Sequence, residues 1–298
     1  MISYNPKEWF TFIFRFHKAD TFRELLPIII SISLYSAVVA WFFHDYLQLG
    51  DNSHLKNISV MHSMLSFVIS MLLVFRTNTA YDRWWEGRKL WGGLLNNSRN
   101  LALKLNGIFT EKDNDQRLYF ACMITNYAIA LKNHLRTAFL PDELLAHPQF
   151  DKTALKQERH LPNDMARQLF NRVHELNRSG VIANEQLVYL NPELLSFTDI
   201  CGACERIKNT PIPYSYSVFL KKFIFFFVMS LPFTMVFTLG YYCVPVVAFI
   251  FYVLASLELI AEEIEDPFGK DANDLPTDQI SKNIRKSVTE ILNVELPV

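Results

Sequence analysis

ISVMHSMLSFVISMLLVF, Ile58 to Phe75, is eighteen residues without one formal charge, about the length that crosses the hydrocarbon core of a bilayer. Directly behind it comes RTNTAYDRWWEGRKLW, Arg76 to Trp91, which is charged and aromatic. No Pro or Gly interrupts the two before Gly87, so the pattern predicts one helix that leaves a membrane and runs on into a soluble region. Residues four apart in the apolar part are Ser59, Ser63, Phe67, Met71 and Phe75. On a helix they form a ridge that drifts only about 40° per step. A second row, Ser59, Ser63, Ser66, Ser70 and Thr77, lies close beside it. Two readings stand at this point. Small hydroxyl residues mark tight helix–helix packing, or the ridge lines a pore with small polar residues at a wide mouth and three bulky apolar ones at a neck.

The rest of the chain puts this helix in a multi-span protein. Of 298 residues half are hydrophobic and 25 are Phe, while the formal net charge is −1. That balance points to a lipid bilayer and to no nucleic-acid partner. The first 24 residues mix charged and aromatic side chains, without the apolar core and small-residue site of a cleaved leader. They read as an interfacial segment. Leu25 to Phe43 is the first span, closed by Trp41, Phe42 and Phe43. The connection 44–57 holds one Lys and no Arg, whereas Arg76, Arg83, Arg88 and Lys89 follow the second span. By the positive-inside rule the connection is outside and the segment after Phe75 is cytoplasmic.

Residues 92–220 carry no run long and apolar enough to span. The fourteen uncharged residues Leu118 to Leu131 are too few for a crossing and predict a buried core helix. Asn163 is expected to cap a helix with Met165, Leu169, Val173 and Leu176 on its inner face, and Asn184 another that Pro192 kinks or restarts and that ends near Lys208. From Phe223 to Leu257 thirty-five residues are uncharged, about 52 Å as one helix against a core of roughly 30 Å. The break from Gly240 to Pro245 therefore divides them into spans three and four. The tail predicts a helix opening at Pro276-Thr-Asp278, with Ile280, Ile284, Val288 and Ile291 on one face. The organisation is an N-terminal segment, 1–24; spans one and two with the helix running inward, 25–91; a cytoplasmic helical domain, 92–220; spans three and four, 221–264; and a cytoplasmic C-terminal segment, 265–298.

Cys122, Cys201, Cys204 and Cys243 fit no disulfide framework, and Cys201-Gly-Ala-Cys204 lacks the second pair a zinc site needs. A buried structural pair is expected. The eight His are scattered, and His62, inside a span, reads as packed or hydrogen-bonded. No Ser/His/Asp order or phosphate loop suggests an enzyme. Trp84, Trp85 and Trp91 read as an interfacial belt or packing core.

Three motifs stand in order: Phe75-Arg76 through Arg83-Trp-Trp85; Gly202-Ala-Cys-Glu-Arg206 with Thr210-Pro-Ile-Pro213; and Glu265-Asp-Pro-Phe-Gly269 with Asn273-Asp-Leu-Pro276. Together with four spans they resemble the bestrophin family in its prokaryotic branch, over nearly the whole chain. The resemblance implies an all-α membrane protein with four transmembrane helices and a cytoplasmic helical domain per subunit, assembled as a homopentamer around a central pore. It puts the pore neck at Phe67, Met71 and Phe75, which leaves Ser59 and Ser63 as the mouth in the pore reading of the ridge. The family commonly has aliphatic residues at the first two neck positions, and this chain departs from that with Phe and Met.

The same resemblance implies a cytoplasmic aperture at the start of the helix leading to Glu205. An ungapped count reaches Glu185, and a shift of one residue reaches Gln186. Aliphatic residues are frequent there in the family. Five carboxylates around one opening repel anions and concentrate cations. Animal bestrophins clasp Ca²⁺ in the acidic loop after Pro-Phe-Gly. Here Lys270 replaces an acid, leaving Asp271 and Asp274 with Asp266 nearby, a weak Ca²⁺ ligand set, and no cofactor is expected.

The function expected is a passive channel for small monovalent ions, preferring cations such as Na⁺, in the plasma (inner) membrane of a prokaryote, multi-pass with both termini cytoplasmic. The alternative is a chloride or other anion channel, favoured if Arg76, Arg83 and Arg88 face the axis; Asp82 and Glu86 are expected to neutralise part of that charge as neighbours on the same helix. A secondary transporter is the reading from another class, and neither inverted repeats nor ionisable groups at the span centres support it.

Overall fold

The computed structural model describes residues 21–48, 58–152 and 155–296. Of the N-terminal segment, residues 1–20 lie outside these, as do residues 49–57 of the connection between the first two spans. Among the described residues the chain is helical, with one isolated bridge, His147 to Phe150, and no strand. The helices are α1 (Thr21–Trp41), α2 (Ile58–Ile108), α3 (Asn114–Leu135), α4 (Leu161–Arg178), α5 (Asn184–Asn209), α6 (Tyr214–Leu239), α7 (Cys243–Glu265) and α8 (Thr277–Leu292). They divide into two compact units, one of Met1–Trp84, Pro211–Asp266 and Asp271–Asn273, the other of Trp85–Thr210, Pro267–Lys270 and Asp274–Val298.

The first unit holds α1, the first part of α2, α6 and α7. Three stretches are long and apolar enough to cross a membrane: Thr21–Tyr46, Val60–Ile108 and Tyr214–Glu265. The third is 52 residues long, and a tight turn at Gly240–Tyr242 cuts it into α6 and α7. Gly240 has φ +52°, a conformation that costs a residue with a Cβ and is open to glycine. Among the described residues there are therefore four apolar helices of spanning length. α1 packs along α7 and α6 around a core of Leu25, Ile32, Ile69, Leu73, Ile224, Phe227, Leu231, Val247 and Phe251. Each such side chain contributes about 1.5–3 kcal/mol when taken out of water. Two polar ties cross this core: Tyr35 Oη donates to the Met229 carbonyl at 3.0 Å, and Thr21 Oγ1 to Ser256 Oγ at 2.9 Å.

The second unit is built on α3, of whose 22 residues 15 are buried. The uncharged run from Leu118 to Leu131 is thus a core helix, wrapped by α4, α8 and part of α5. α4 buries Met165, Leu169, Val173 and Leu176 as the spacing predicted, but its start differs. His160 is the cap, its Nδ1 accepting from the Asn163 N–H at 3.2 Å, because Leu161-Pro162 fills the first turn, where the missing proline N–H costs nothing. At α5 the flanking residue is Ala183 rather than Asn184. Its N–H donates to Gln186 Oε1 at 2.9 Å, while Asn184 Oδ1 accepts from Asn177 Nδ2. α5 also continues through Pro192 without a restart. The carbonyl that Pro192 leaves without a donor belongs to Val188, an exposed residue that water reaches. α8 buries Ile280, Ser281, Ile284, Val288 and Leu292, so Leu292 and not Ile291 closes its inner face.

Candidate functional site

α2 carries two faces of opposite fate. Ile69, Leu73, Arg76 and Ala80, spaced four, three and four, are buried in the first unit. Phe67, Met71 and Phe75 are 72%, 49% and 53% exposed in the single chain, and Ser63 shares their exposed ridge. The side chain of Ser59 lies outside the described residues. Large apolar side chains left open at this density need lipid, a neighbouring subunit or a pore lumen to cover them. The adjoining hydroxyls are satisfied by their own helix: Ser66 donates to the His62 carbonyl, Ser70 to Ser66, Thr77 to Leu73 and Thr79 to Phe75, at 2.7–2.9 Å. That pairing lets a polar side chain sit in an apolar medium without an orphaned group. His62 is buried beside Phe227 and bonded to Ser230 Oγ at 2.8 Å, the structural role expected of it.

Immediately below Phe75 the motif residues of the first unit tie to one another. Arg76 is only 2% exposed, its Nη2 2.7 Å from Glu265 Oε2 and its Nε 3.5 Å from Glu258 Oε2. The other Glu265 oxygen accepts from the Ile212 N–H at 2.6 Å, and the Glu265 carbonyl from Arg83 Nε at 3.0 Å. Trp84 Nε1 donates to the Asn273 carbonyl at 3.0 Å, and Asn273 Nδ2 to Glu263 Oε2. Tyr216 Oη reaches the Leu72 carbonyl at 3.0 Å. The sequence motifs around Arg76, Ile212, Glu265 and Asn273 are therefore partners in one polar knot. Deleting one partner of a buried ion pair costs about 3–5 kcal/mol, so Arg76 and its two acids hold one another in place, although both Glu258 carboxylate oxygens are buried without a hydrogen bond.

In the second unit Pro267-Phe-Gly269 works by shape. A Cβ on Gly87 would meet Phe268 at 3.2 Å and Leu275 at 3.1 Å, and one on Gly269 would meet Asp274 Oδ2 at 2.6 Å. Both glycines make room for a neighbour. Asp274, one of the Ca²⁺ candidates, is 2% exposed beneath that contact, whereas Asp266 and Asp271 are exposed in the first unit. Glu86 pairs with Arg206 at 2.7 Å, not with a neighbour on its own helix. α8 is held at its first turn, where Asp278 meets Arg136 at 2.7 Å and Lys132 at 3.1 Å. The Arg136 hydrogen bond chiefly, against the opposing effect of burial, lowers the Asp278 carboxyl to about 2.

Glu185 is exposed in the first turn of α5, and Gln186 is the residue spent on the Ala183 N–H. Cys201 and Cys204 are buried free thiols, as are Cys122 and Cys243. Burial first, then the Glu205 charge, pushes Cys201 up to about 12, which suits a packed pair and no redox chemistry. One grouping was invisible in the sequence: Glu205 of the Cys-Glu-Arg motif receives both His134 and His160, which lie far apart along the chain. Burial holds His134 below its usual imidazole value, with the Glu205 hydrogen bond opposing. Burial acts to raise Glu205, and the His160 and His134 hydrogen bonds outweigh it and hold its carboxyl low.

Apolar helices of spanning length and an uncovered ridge on α2 define a multi-span membrane protein. Comparisons with known proteins agree. The family model described as bacterial/fungal bestrophin protein matches residues 1–290. A voltage-dependent anion channel-forming protein of Nostoc sp. is 31% identical over 295 residues, covering 97% of this chain and 93% of that protein. The Escherichia coli protein YneE, described in the same words, is 32% identical over 289 residues, covering 95% and 91%. Among solved structures, a bacterial bestrophin homologue from Klebsiella pneumoniae superposes with a TM-score of 0.79 at 27% identity, covering 91% of this chain and 99% of that one. The chain belongs to the bestrophin family; bestrophins are ion channels, not enzymes.

Proposed function

We propose that five copies of this chain surround one axial pathway in a bacterial inner membrane, with both termini cytoplasmic, and pass small monovalent cations such as Na⁺. Phe67, Met71 and Phe75 form the neck below a mouth at Ser59 and Ser63, and Glu185 forms an acidic ring at the inner aperture. The observation that carries this reading is the contrast on α2, where the packed face is buried and the Phe67–Met71–Phe75 ridge is left uncovered. Passage through such a neck costs partial dehydration, so side-chain rotation sets how often it is wet. Two observations favour cations. Glu185 is exposed while Gln186 is engaged in the helix cap. Arg76, the basic residue nearest the neck, is buried against Glu258 and Glu265 and adds little positive field to a lumen. We also propose that conduction needs no bound Ca²⁺, since Asp274 is buried over Gly269.

Replacing Phe67, Met71 and Phe75 together by Ala is expected to raise liposome Na⁺ flux by roughly threefold or more, because a wider neck wets more readily. An unchanged flux removes the neck assignment. Under asymmetric NaCl, Glu185→Gln is expected to move the reversal potential toward the chloride side by on the order of 10 mV, as a ring of charge is lost. No movement returns Glu185 to a surface role. The second reading, an anion channel, is favoured by the description that the Nostoc and Escherichia coli relatives share. A wild-type reversal potential on the chloride side establishes it.

A further inference from the structure

Of the eight histidines in the chain, two are brought by the second unit to one carboxylate. His134 stands in the last turn of α3, His160 caps α4, and Glu205 lies toward the end of α5. The Nε2 atoms of His134 and His160 are 2.7 and 2.6 Å from the same oxygen, Glu205 Oε1. The two rings are 4.3 Å apart between centroids at 49°, so they converge on that oxygen without stacking on each other. One ligand atom from each of the three residues lies within 4.8 Å of the other two.

We propose that His134, His160 and Glu205 form a binding site for a first-row divalent transition metal, with Zn²⁺ as its natural probe. Two imidazole nitrogens and one carboxylate oxygen are the donor set such ions take, in the three-ligand form that leaves further positions to water. The setting fits an open site. The three side chains are each about a third exposed, and a cavity of about 300 Å³ beside His134 and Glu205 is lined by Thr137, Phe139, Gln157, Arg159 and Lys208. That is room for several waters. The ammonium that lines the cavity, Lys208, is turned to Thr137 Oγ1 at 2.7 Å and to the His134 carbonyl at 3.3 Å.

The metal-free arrangement also says how loading proceeds. His160 Nδ1 accepts the Asn163 N–H, so this ring carries its proton on Nε2 and donates it to Glu205. A metal on His160 Nε2 moves that proton to Nδ1 and breaks the bond to Asn163. Metal loading and the cap of α4 are thus exclusive, a link that a merely structural clasp does not have.

The test uses the full-length protein in detergent, stripped by chelator and then dialysed against Zn²⁺, with bound metal measured by mass spectrometry. Wild type is expected to hold one Zn²⁺ per chain that the exposed control His174→Gln retains and that His160→Ser and Glu205→Gln bind roughly tenfold or more weakly. His160→Ser removes a ligand and keeps a capping oxygen, so the fold survives the loss. Hydrogen exchange at the Asn163 amide is expected to quicken on Zn²⁺ addition in wild type and not in His160→Ser. Wild type without bound Zn²⁺, or Zn²⁺ retained by both variants, overturns the proposal and leaves a hydrogen-bonded clasp. Neither outcome depends on which ion the pore passes.

Discussion

Two uncharged stretches of this chain, Ile58 to Phe75 on α2 and Leu118 to Leu131 on α3, are alike in apolar character and differ in what surrounds them. α3 is covered on nearly every side by helices of its own unit. The Ile58 to Phe75 stretch of α2 is covered along His62, Ile69 and Leu73, and leaves Met64, Phe67, Met71, Val74 and Phe75 open. The difference lies in length and in where charge begins. Fourteen residues fall short of a crossing and must find a core, whereas eighteen reach across and find lipid, a neighbour or a lumen. An apolar run thus states that it must leave water, and its length states where it goes.

Substitutions test that contrast. The largest effect is expected at the buried charge on the covered face of α2. Arg76→Ala strands Glu258 and Glu265 and is expected to cost about 3–5 kcal/mol, read as a fall in the unfolding midpoint in detergent. Joint replacement of Arg76 and Glu258 by Leu is expected to recover part of it. Next comes the closed core. Leu131, fully buried in α3, is expected to lose about 3 kcal/mol on Leu131→Ala. Phe67→Ala, on the open ridge, is expected to change stability by less than about 0.5 kcal/mol. Equal losses at Leu131 and Phe67 break the comparison.

A smaller effect belongs to the clamp on α8. Asp278 is half exposed, so Asp278→Asn is expected to cost about 1 kcal/mol, discounted for solvent. Its folded carboxyl value of about 2 lies below the ordinary 3.8. The contribution is therefore full above pH 3.8 and lost as pH falls through about 2. The gap between wild type and Asp278→Asn is expected to close across that window in acid titrations followed by circular dichroism.

The helices, the break at Gly240 and the core role of Leu118 to Leu131 were legible because length, charge and period report burial directly. What escaped the sequence was local competition and distant pairing. His160 takes the cap from Asn163 because Pro162 sets the register of the first turn, and Gln186 serves the Ala183 N–H in place of Asn184. Pro192 does not restart α5, and the residue whose carbonyl it leaves without a donor, Val188, is exposed. Leu292 replaces Ile291 through a one-residue slip at a helix end. Glu86 reaches Arg206, and His134 and His160 reach Glu205, across separations no spacing rule reads.

The knot around Arg76 has a consequence for descent. A chain that altered Arg76 alone would leave two acids without their arginine, and one that altered Glu265 alone would leave Arg76 with Glu258 only and strip the Ile212 amide of its acceptor. Arg76, Glu258 and Glu265 are therefore bound to drift in concert, and a lineage that rewires this corner must exchange several letters in few generations or keep them all.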